Sequence, residues 1–220
     1  MINTSNLVLL LISYLLGSIP SAVWIGKYFY NIDVREYGSG NAGATNTIRV
    51  LGKKAGIPVL IIDALKGFGA VSLAVLSPYT HDSNQFVNLQ LVLGIASLVG
   101  HIFPVFASFR GGKGIATLLG ITVAVNPMAA CFSIIIFIVM LVAFGYVSLG
   151  SITAAIAFPI SILFVLKVQT PSLILFSILV AIMVVITHQK NIERLLKREE
   201  PKANLLKRKK DDTTDAENNS

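Results

Sequence analysis

Uncharged apolar runs close to the width of a bilayer constrain this chain more than any other feature. The stretch 132-FSIIIFIVMLVAF-144 carries no charge at all, and neither does 91-LVLGIASLVG-100. A soluble domain would need charged faces on such helices, whereas about twenty predominantly apolar residues suit a bilayer crossing. Composition agrees, because 54% of the 220 residues are hydrophobic and only 13% are charged. The runs are continuous rather than alternating, which excludes a transmembrane β-barrel. The predicted class is therefore all-α, a polytopic integral membrane protein. The first run, residues 7–16, has no basic segment before it and continues through "GSIPSAVWIGKYF", so it reads as a retained span and not as a cleaved signal. The single cysteine, Cys131, precludes a disulfide framework within the chain and is expected as an inert core residue.

Breaks between the runs predict seven transmembrane helices, near residues 7–28, 57–76, 87–106, 115–125, 127–144, 152–168 and 173–187. The fourth is short, and only the Asn126-Pro127 break separates it from the fifth. Charge favours keeping them apart. With seven spans and the N-terminus outside, Arg35, Arg49, Lys53, Lys54, Arg110, Lys113 and the tail share the cytosolic side, and Lys167 is the clear basic residue opposite. The chain thus divides into a seven-helix membrane domain, 1–189, and a cytosolic tail, 190–220. The tail is basic through "KNIERLLKREEPKANLLKRKK" and then acidic through "DDTTDAENNS"; it is expected to open with an interfacial helix and end partly disordered. Its basic run lacks interleaved aromatics, which points to anionic lipid headgroups and not to nucleic acid.

Three loops on the basic side are chemically unusual: 37-YGSGNAGATNTIRVLGKKAG-56, 108-SFRGGKGIAT-117 and 145-GYVSLGS-151, with 188-HQKNIE-193 closing the last span beside them. In the first, glycines allow tight turns and exposed N–H groups, Ser39, Asn41, Thr45 and Asn46 are neutral donors, and Arg49 is a fixed cation. Helix packing by small residues accounts for Gly40 and Gly43 but not for Asn41, Asn46 and Arg49. The second loop sets Arg110 and Lys113 among glycines just before a helix N-terminus, a place that favours anions. It is not a nucleotide P-loop, because Gly114 follows Lys113 where Ser or Thr would be needed. His81, His101 and His188 have no ligand cluster at metal spacing, so no metal is expected. His188 and Asn191 are one helical turn apart and can face one pocket. Asp63 and Lys66, also i, i+3 and inside the second span, read first as mutual neutralisation, with a supporting role at the site left open.

The segments "GSIPSAVWIGK", "GSGNAGATNTIRVLGKKAG", "GHIFPVFASFRGGKGIAT", "GYVSLGS" and "HQKNIERLL" resemble, in order and spacing, the bacterial PlsY family of acyl-phosphate:glycerol-3-phosphate acyltransferases. The resemblance runs from about Gly17 to Leu196. It implies a seven-helix enzyme of the bacterial plasma (inner) membrane with its active site facing the cytosol. Such an enzyme moves a fatty acyl group from acyl phosphate to the sn-1 hydroxyl of glycerol 3-phosphate, giving lysophosphatidic acid and phosphate, the first step of phospholipid synthesis. No cofactor is implied, and the functional partner is the enzyme that makes acyl phosphate from acyl carrier protein. The His-x-x-x-x-Asp motif of other glycerol-phosphate acyltransferases is absent, since Phe86, Phe106 and Glu193 stand five residues after the three histidines.

Carried over by motif, Ser39, Asn41, Thr45, Asn46 and Arg49 would bind glycerol 3-phosphate, with Gly43 in the same lining. Gly111, Gly112 and Lys113 would hold the acyl phosphate, and Ser148, His188 and Asn191 would complete the pocket. The implied catalytic set is Lys113, Arg49, Ser39 and His188: the two cations act electrostatically, His188 positions, and a substrate phosphate accepts the hydroxyl proton. The competing reading is a membrane transporter of an anion or organophosphate, but no internal repeat is evident and the motifs gather at one face.

Overall fold

A computed structural model of the chain describes residues 4–81 and 83–203. Ten α-helices follow one another: α1 Thr4–Gly17, α2 Ser21–Tyr30, α3 Ala44–Leu51, α4 Lys53–Ser72, α5 Asn84–Ile102, α6 Ile115–Val125, α7 Pro127–Phe144, α8 Val147–Ile160, α9 Pro171–Thr187 and α10 Gln189–Leu196. The described residues contain no strand. Four stretches are long and apolar enough to cross a bilayer: Lys53–Leu76, Asn84–Ala107, Pro127–Phe144 and Val147–Val165. The bent pairs α1/α2 (41°) and α9/α10 (60°) bring the number to six if each is one span. Helix α6 has 11 residues, about 16 Å of helix against a hydrocarbon core of roughly 30 Å.

Several boundaries differ from the sequence reading, each for a local reason. The apolar run 7–28 is not one helix: it breaks at Ser18–Pro20, and Pro20, which has no N–H to donate, becomes the N-cap of α2. The glycine-rich segment 37–56 is only partly a loop, because α3 occupies Ala44–Leu51 and α4 starts at Lys53. In 145–151 only Gly145 and Tyr146 lie outside helices. The Asn126-Pro127 signal acts as expected: the Asn126 side chain accepts from the Ala129 N–H at 2.9 Å, and Pro127 opens α7.

Glycines let the central helices meet backbone to backbone. A Cβ on Gly67 or Gly120 would strike the Thr117 or Ala64 carbonyl across the α4–α6 contact, and one on Gly17 or Gly100 would strike Ser97 or Tyr14 across α1–α5. The apolar centre, including Val71, Ile121, Phe158, Ile162 and Val184, fills between α4, α6, α8 and α9. Helix α7 is peripheral, with only 11% of its span buried. Cys131 therefore lies exposed on its outer side rather than in the core, because α7 meets the bundle along one narrow face. Gly120→Val is expected to destabilise by about 1–3 kcal/mol through overpacking, read as a lower thermal midpoint in detergent. Gly69→Ala is its control, since a Cβ there meets no described atom within 4 Å.

The two ends of α5 mark two ends of the bundle. At one end Asn6 at the start of α1 reaches Tyr79 between α4 and α5, at 3.2 Å. The motif-bearing segments meet at the other.

Candidate active site

The first loop is built around a buried amide. Asn46, on the inner face of α3 and 2% exposed, donates to the Val34 and Tyr37 carbonyls at 2.8 and 3.1 Å and accepts from the Ser39 N–H and hydroxyl at 2.8 and 3.1 Å. All four hydrogen-bonding sites of the amide are thereby used. In this way Asn46 holds Ser39 in place. Ser39 itself is exposed, as are Thr45 and Arg49, which lie one turn apart on the outer face of α3; Asn41 and Gly43 are half-buried. The Arg49 guanidinium has no ion pair or hydrogen bond among the described residues.

The second loop folds back onto the end of α5. The Gly111 N–H donates to the Ile102 carbonyl at 3.1 Å and the Gly112 N–H to the His101 carbonyl at 3.3 Å. These glycines therefore turn their N–H groups inward, where they satisfy two carbonyls left free at a helix end. Their small size is what the site uses: a Cβ on Gly111 would strike those same carbonyls, and one on Gly112 would meet the His101 ring and the Ala42 carbonyl of the first loop. Gly114, at φ +80°, then starts α6.

Lys113 leaves this loop half-buried and donates through Nζ to Asn191 Oδ1 at the start of α10. The Asn191 amide donates to Glu200 Oε1 at 2.6 Å, and Arg194 Nε donates to Glu200 Oε2 at 2.8 Å. Buried Ser148, in the first turn of α8, faces the same carboxylate without a direct hydrogen bond. Burial of Glu200 favours its neutral acid, but Asn191, Ser148 and Arg194 together hold it below the ordinary glutamate range. Burial, reinforced by the charge of Arg194 and opposed by that of Glu200, lowers Lys113 from the usual lysine range to about 8. His188, 4% exposed, sits beside Lys113 with Nδ1 2.8 Å from the Val184 carbonyl. That partner assigns the proton to Nδ1 and leaves Nε2 as an acceptor.

Lys113, Asn191, Ser148 and His188 are thus brought together, while exposed Ser39, Thr45 and Arg49 make no hydrogen bond to them among the described residues. Arg35 joins the two loops. It grips Asp33 with Nε at 2.9 Å and Nη2 at 2.7 Å, and its Nη1 donates to the Ala107 and Arg110 carbonyls at 3.0 and 3.2 Å. Sequence reasoning passed over Arg35, Arg194 and Glu200 as positive-inside or tail charges. The available signal was an acidic residue set inside a basic segment that follows His188.

A glycerol-3-phosphate acyltransferase family profile matches residues 7–198. The chain belongs to the glycerol-3-phosphate acyltransferase family. Curated relatives carrying that family name include those of Staphylococcus aureus strains JH9 and MRSA252, each 43% identical over 198 residues, covering 89% of this chain and 96% of the relative. Among solved structures, the glycerol 3-phosphate form of PlsY (YgiH), an integral membrane glycerol 3-phosphate acyltransferase, is 41% identical with a TM-score of 0.81; the match covers 90% of this chain and 95% of that one. The lysophosphatidic acid form of PlsY is 40% identical with a TM-score of 0.76 over the same shares. This acyltransferase is accordingly a multi-pass membrane protein, and its motif-bearing end is the candidate active site.

Proposed function

We propose that this glycerol-3-phosphate acyltransferase takes its acyl group from acyl phosphate and places it on the sn-1 hydroxyl of glycerol 3-phosphate, releasing lysophosphatidic acid and inorganic phosphate. The observation that carries this reading is the joining by Arg35 of two loops that each present a cation, Arg49 on α3 and Lys113 before α6. Two phosphate-bearing substrates that must approach one another call for two such cations, since their repulsion in a partly dehydrated site is large. The solved PlsY forms with glycerol 3-phosphate and with lysophosphatidic acid support the acceptor and the product.

Arg49, Thr45 and Ser39 bind the glycerol 3-phosphate, with Asn46 fixing Ser39 and with Asn41 and Gly43 shaping the wall. Lys113 holds the acyl phosphate, set in position by Gly111, Gly112 and Asn191, while Ser148 and His188 close the pocket. The acceptor hydroxyl attacks the acyl carbonyl carbon, and a new ester C–O bond forms. The acyl–phosphate C–O bond breaks with its electron pair leaving on phosphate, a substrate phosphate takes the hydroxyl proton, and Lys113 offsets the charge on the departing group.

Seven crossings, with the short α6 as one of them and the N-terminus outside, place this end at the cytosolic face of a bacterial plasma (inner) membrane. There it draws acyl phosphate from the enzyme that makes it from acyl carrier protein. Residues 1–189 form the membrane domain and 190–220 the tail, whose stretch after Ala203 lies outside the described residues.

The test is turnover of the detergent-purified chain with glycerol 3-phosphate and either palmitoyl phosphate or palmitoyl-CoA. Phosphate release matched by lysophosphatidic acid is expected with palmitoyl phosphate alone. Equal turnover with palmitoyl-CoA overturns the donor, and vesicle uptake of phosphate esters without acyl transfer favours a transporter.

A further inference from the structure

Two charges facing one another on α4 need nothing more for neutrality, yet Asp63 and Lys66 reach two other parts of the fold, the α1/α2 break and the end of α5. Asp63 Oδ1 lies 2.8 Å from Lys66 Nζ, accepts from the Ser21 hydroxyl at 2.7 Å, and is 3.7 Å from His101 Nδ1. Lys66 Nζ also donates to the Ile19 carbonyl at 2.9 Å. Asp63, Lys66, Ser21 and His101 are all buried, at 1, 6, 4 and 5% exposure. Ile19 and Ser21 are the carbonyl and the first helical residue at the break between α1 and α2, where backbone groups inside a membrane must find partners.

The cluster continues to the second loop through His101. This residue stands at the end of α5, its carbonyl accepts the Gly112 N–H, and its ring lies against Gly112 closely enough that a Cβ there would collide with Nε2. Asp63, Lys66, His101, Gly111 and Gly112 line one small cavity. The ring therefore lies between the Asp63 carboxylate, 3.7 Å from Nδ1 and not hydrogen-bonded to it, and the loop on its Nε2 side. The N–H groups of Gly111 and Gly112 both end on α5, which anchors this stretch of the loop next to the Arg35 clamp on Ala107 and Arg110.

We propose that Asp63, with Lys66 and Ser21, is a positioning residue that acts through His101 to set the Gly111–Lys113 loop, and so aims the Lys113 ammonium at the donor phosphate. The inference rests on the reading that this loop holds the acyl phosphate. The physical logic is that of a rigid supporting shell: a buried charge fixes a ring, the ring fixes a glycine loop, and the loop fixes a catalytic cation.

The test compares full-length, detergent-purified Asp63→Asn, His101→Gln and Ser21→Ala with the wild type in steady-state kinetics, varying palmitoyl phosphate and glycerol 3-phosphate separately. For Asp63→Asn and His101→Gln, KM for palmitoyl phosphate is expected to rise about fivefold or more and kcat to fall about tenfold or more, as for a catalytic group displaced from outside the reacting atoms. KM for glycerol 3-phosphate should stay within about twofold, and Ser21→Ala, which removes one bond to Asp63, should give the same pattern at about two- to threefold. If Asp63→Asn does not fold, His101→Gln and Ser21→Ala carry the comparison. A lower kcat with both KM values unchanged is the signature of less folded enzyme and overturns the proposal. A rise confined to KM for glycerol 3-phosphate supports the hold on the loop and overturns its assignment to the donor. A wild type inactive with palmitoyl phosphate sinks the donor reading separately.

Discussion

Lys113→Ala is expected to lower kcat about 10²- to 10³-fold, the range for removing one group that stabilises developing charge in a sheltered site. The helices should remain intact, because Lys113 lies in a loop and its one side-chain hydrogen bond among the described residues is to Asn191. The fall should appear in kcat with palmitoyl phosphate in excess, with an unchanged elution profile and thermal midpoint. The pH profile sharpens the expectation. With Lys113 near 8 in the free protein, the group is cationic below that pH and neutral above it. An electrostatic role therefore requires kcat/KM to be highest on the acid side of about 8 and to fall as pH rises through that value. Lys113→Arg, whose guanidinium stays charged at every accessible pH, should remove that alkaline limb from whatever activity it retains. A profile that rises through pH 8 would instead mark Lys113 as a base and reverse its assigned role.

Arg49→Ala should act on the acceptor. A charge-assisted hydrogen bond to phosphate contributes about 1.5–3 kcal/mol, so KM for glycerol 3-phosphate should rise roughly 10- to 150-fold. KM for palmitoyl phosphate should stay within about twofold if the two loops divide the substrates as proposed. Folding should be unaffected, within about 0.5 kcal/mol, because the exposed Arg49 side chain has no partner among the described residues to lose. Asn46→Ala offers the contrast. It removes the buried amide that holds Ser39 and two backbone carbonyls, so a loss of stability should accompany its loss of activity. Isothermal titration with glycerol 3-phosphate, alongside kinetics, separates the two variants.

These contrasts show where a sequence reading reaches its limit. Arg49 and Asn46 sit three residues apart in one motif, and by residue type both are ligands for a phosphate ester. Yet Asn46 is buried and knits the loop, while Arg49, one turn further along α3, is exposed. Gly111 and Gly112 are similar: the family resemblance implied contact with the acyl phosphate, and the fold shows their N–H groups donating to the last carbonyls of α5. Glu200 stood out in the sequence only as acid within a basic segment, and its partners could not be read for a different reason. Its partners, Asn191, Arg194 and Ser148, meet it only when the segment after α10 folds back, as the Ala203 N–H bond to the Gly145 carbonyl at 2.7 Å shows.

By itself, the sequence determined what short-range chemistry can dictate: apolar runs too long and too uncharged for a soluble fold, the stop at Asn126-Pro127, and glycine-rich cationic segments shared with one enzyme family. Solvent preference and backbone restriction act residue by residue, and so they leave a linear trace. The tertiary structure decided the break that divides the first apolar run, which polar side chains face outward, and which charged side chains hydrogen-bond to distant segments. Each of those depends on unpaired backbone groups and buried charges finding partners elsewhere in the chain. Asp63 shows the division clearly: the sequence already paired it with Lys66 at i, i+3, and the fold added Ser21 and His101 from two other helices.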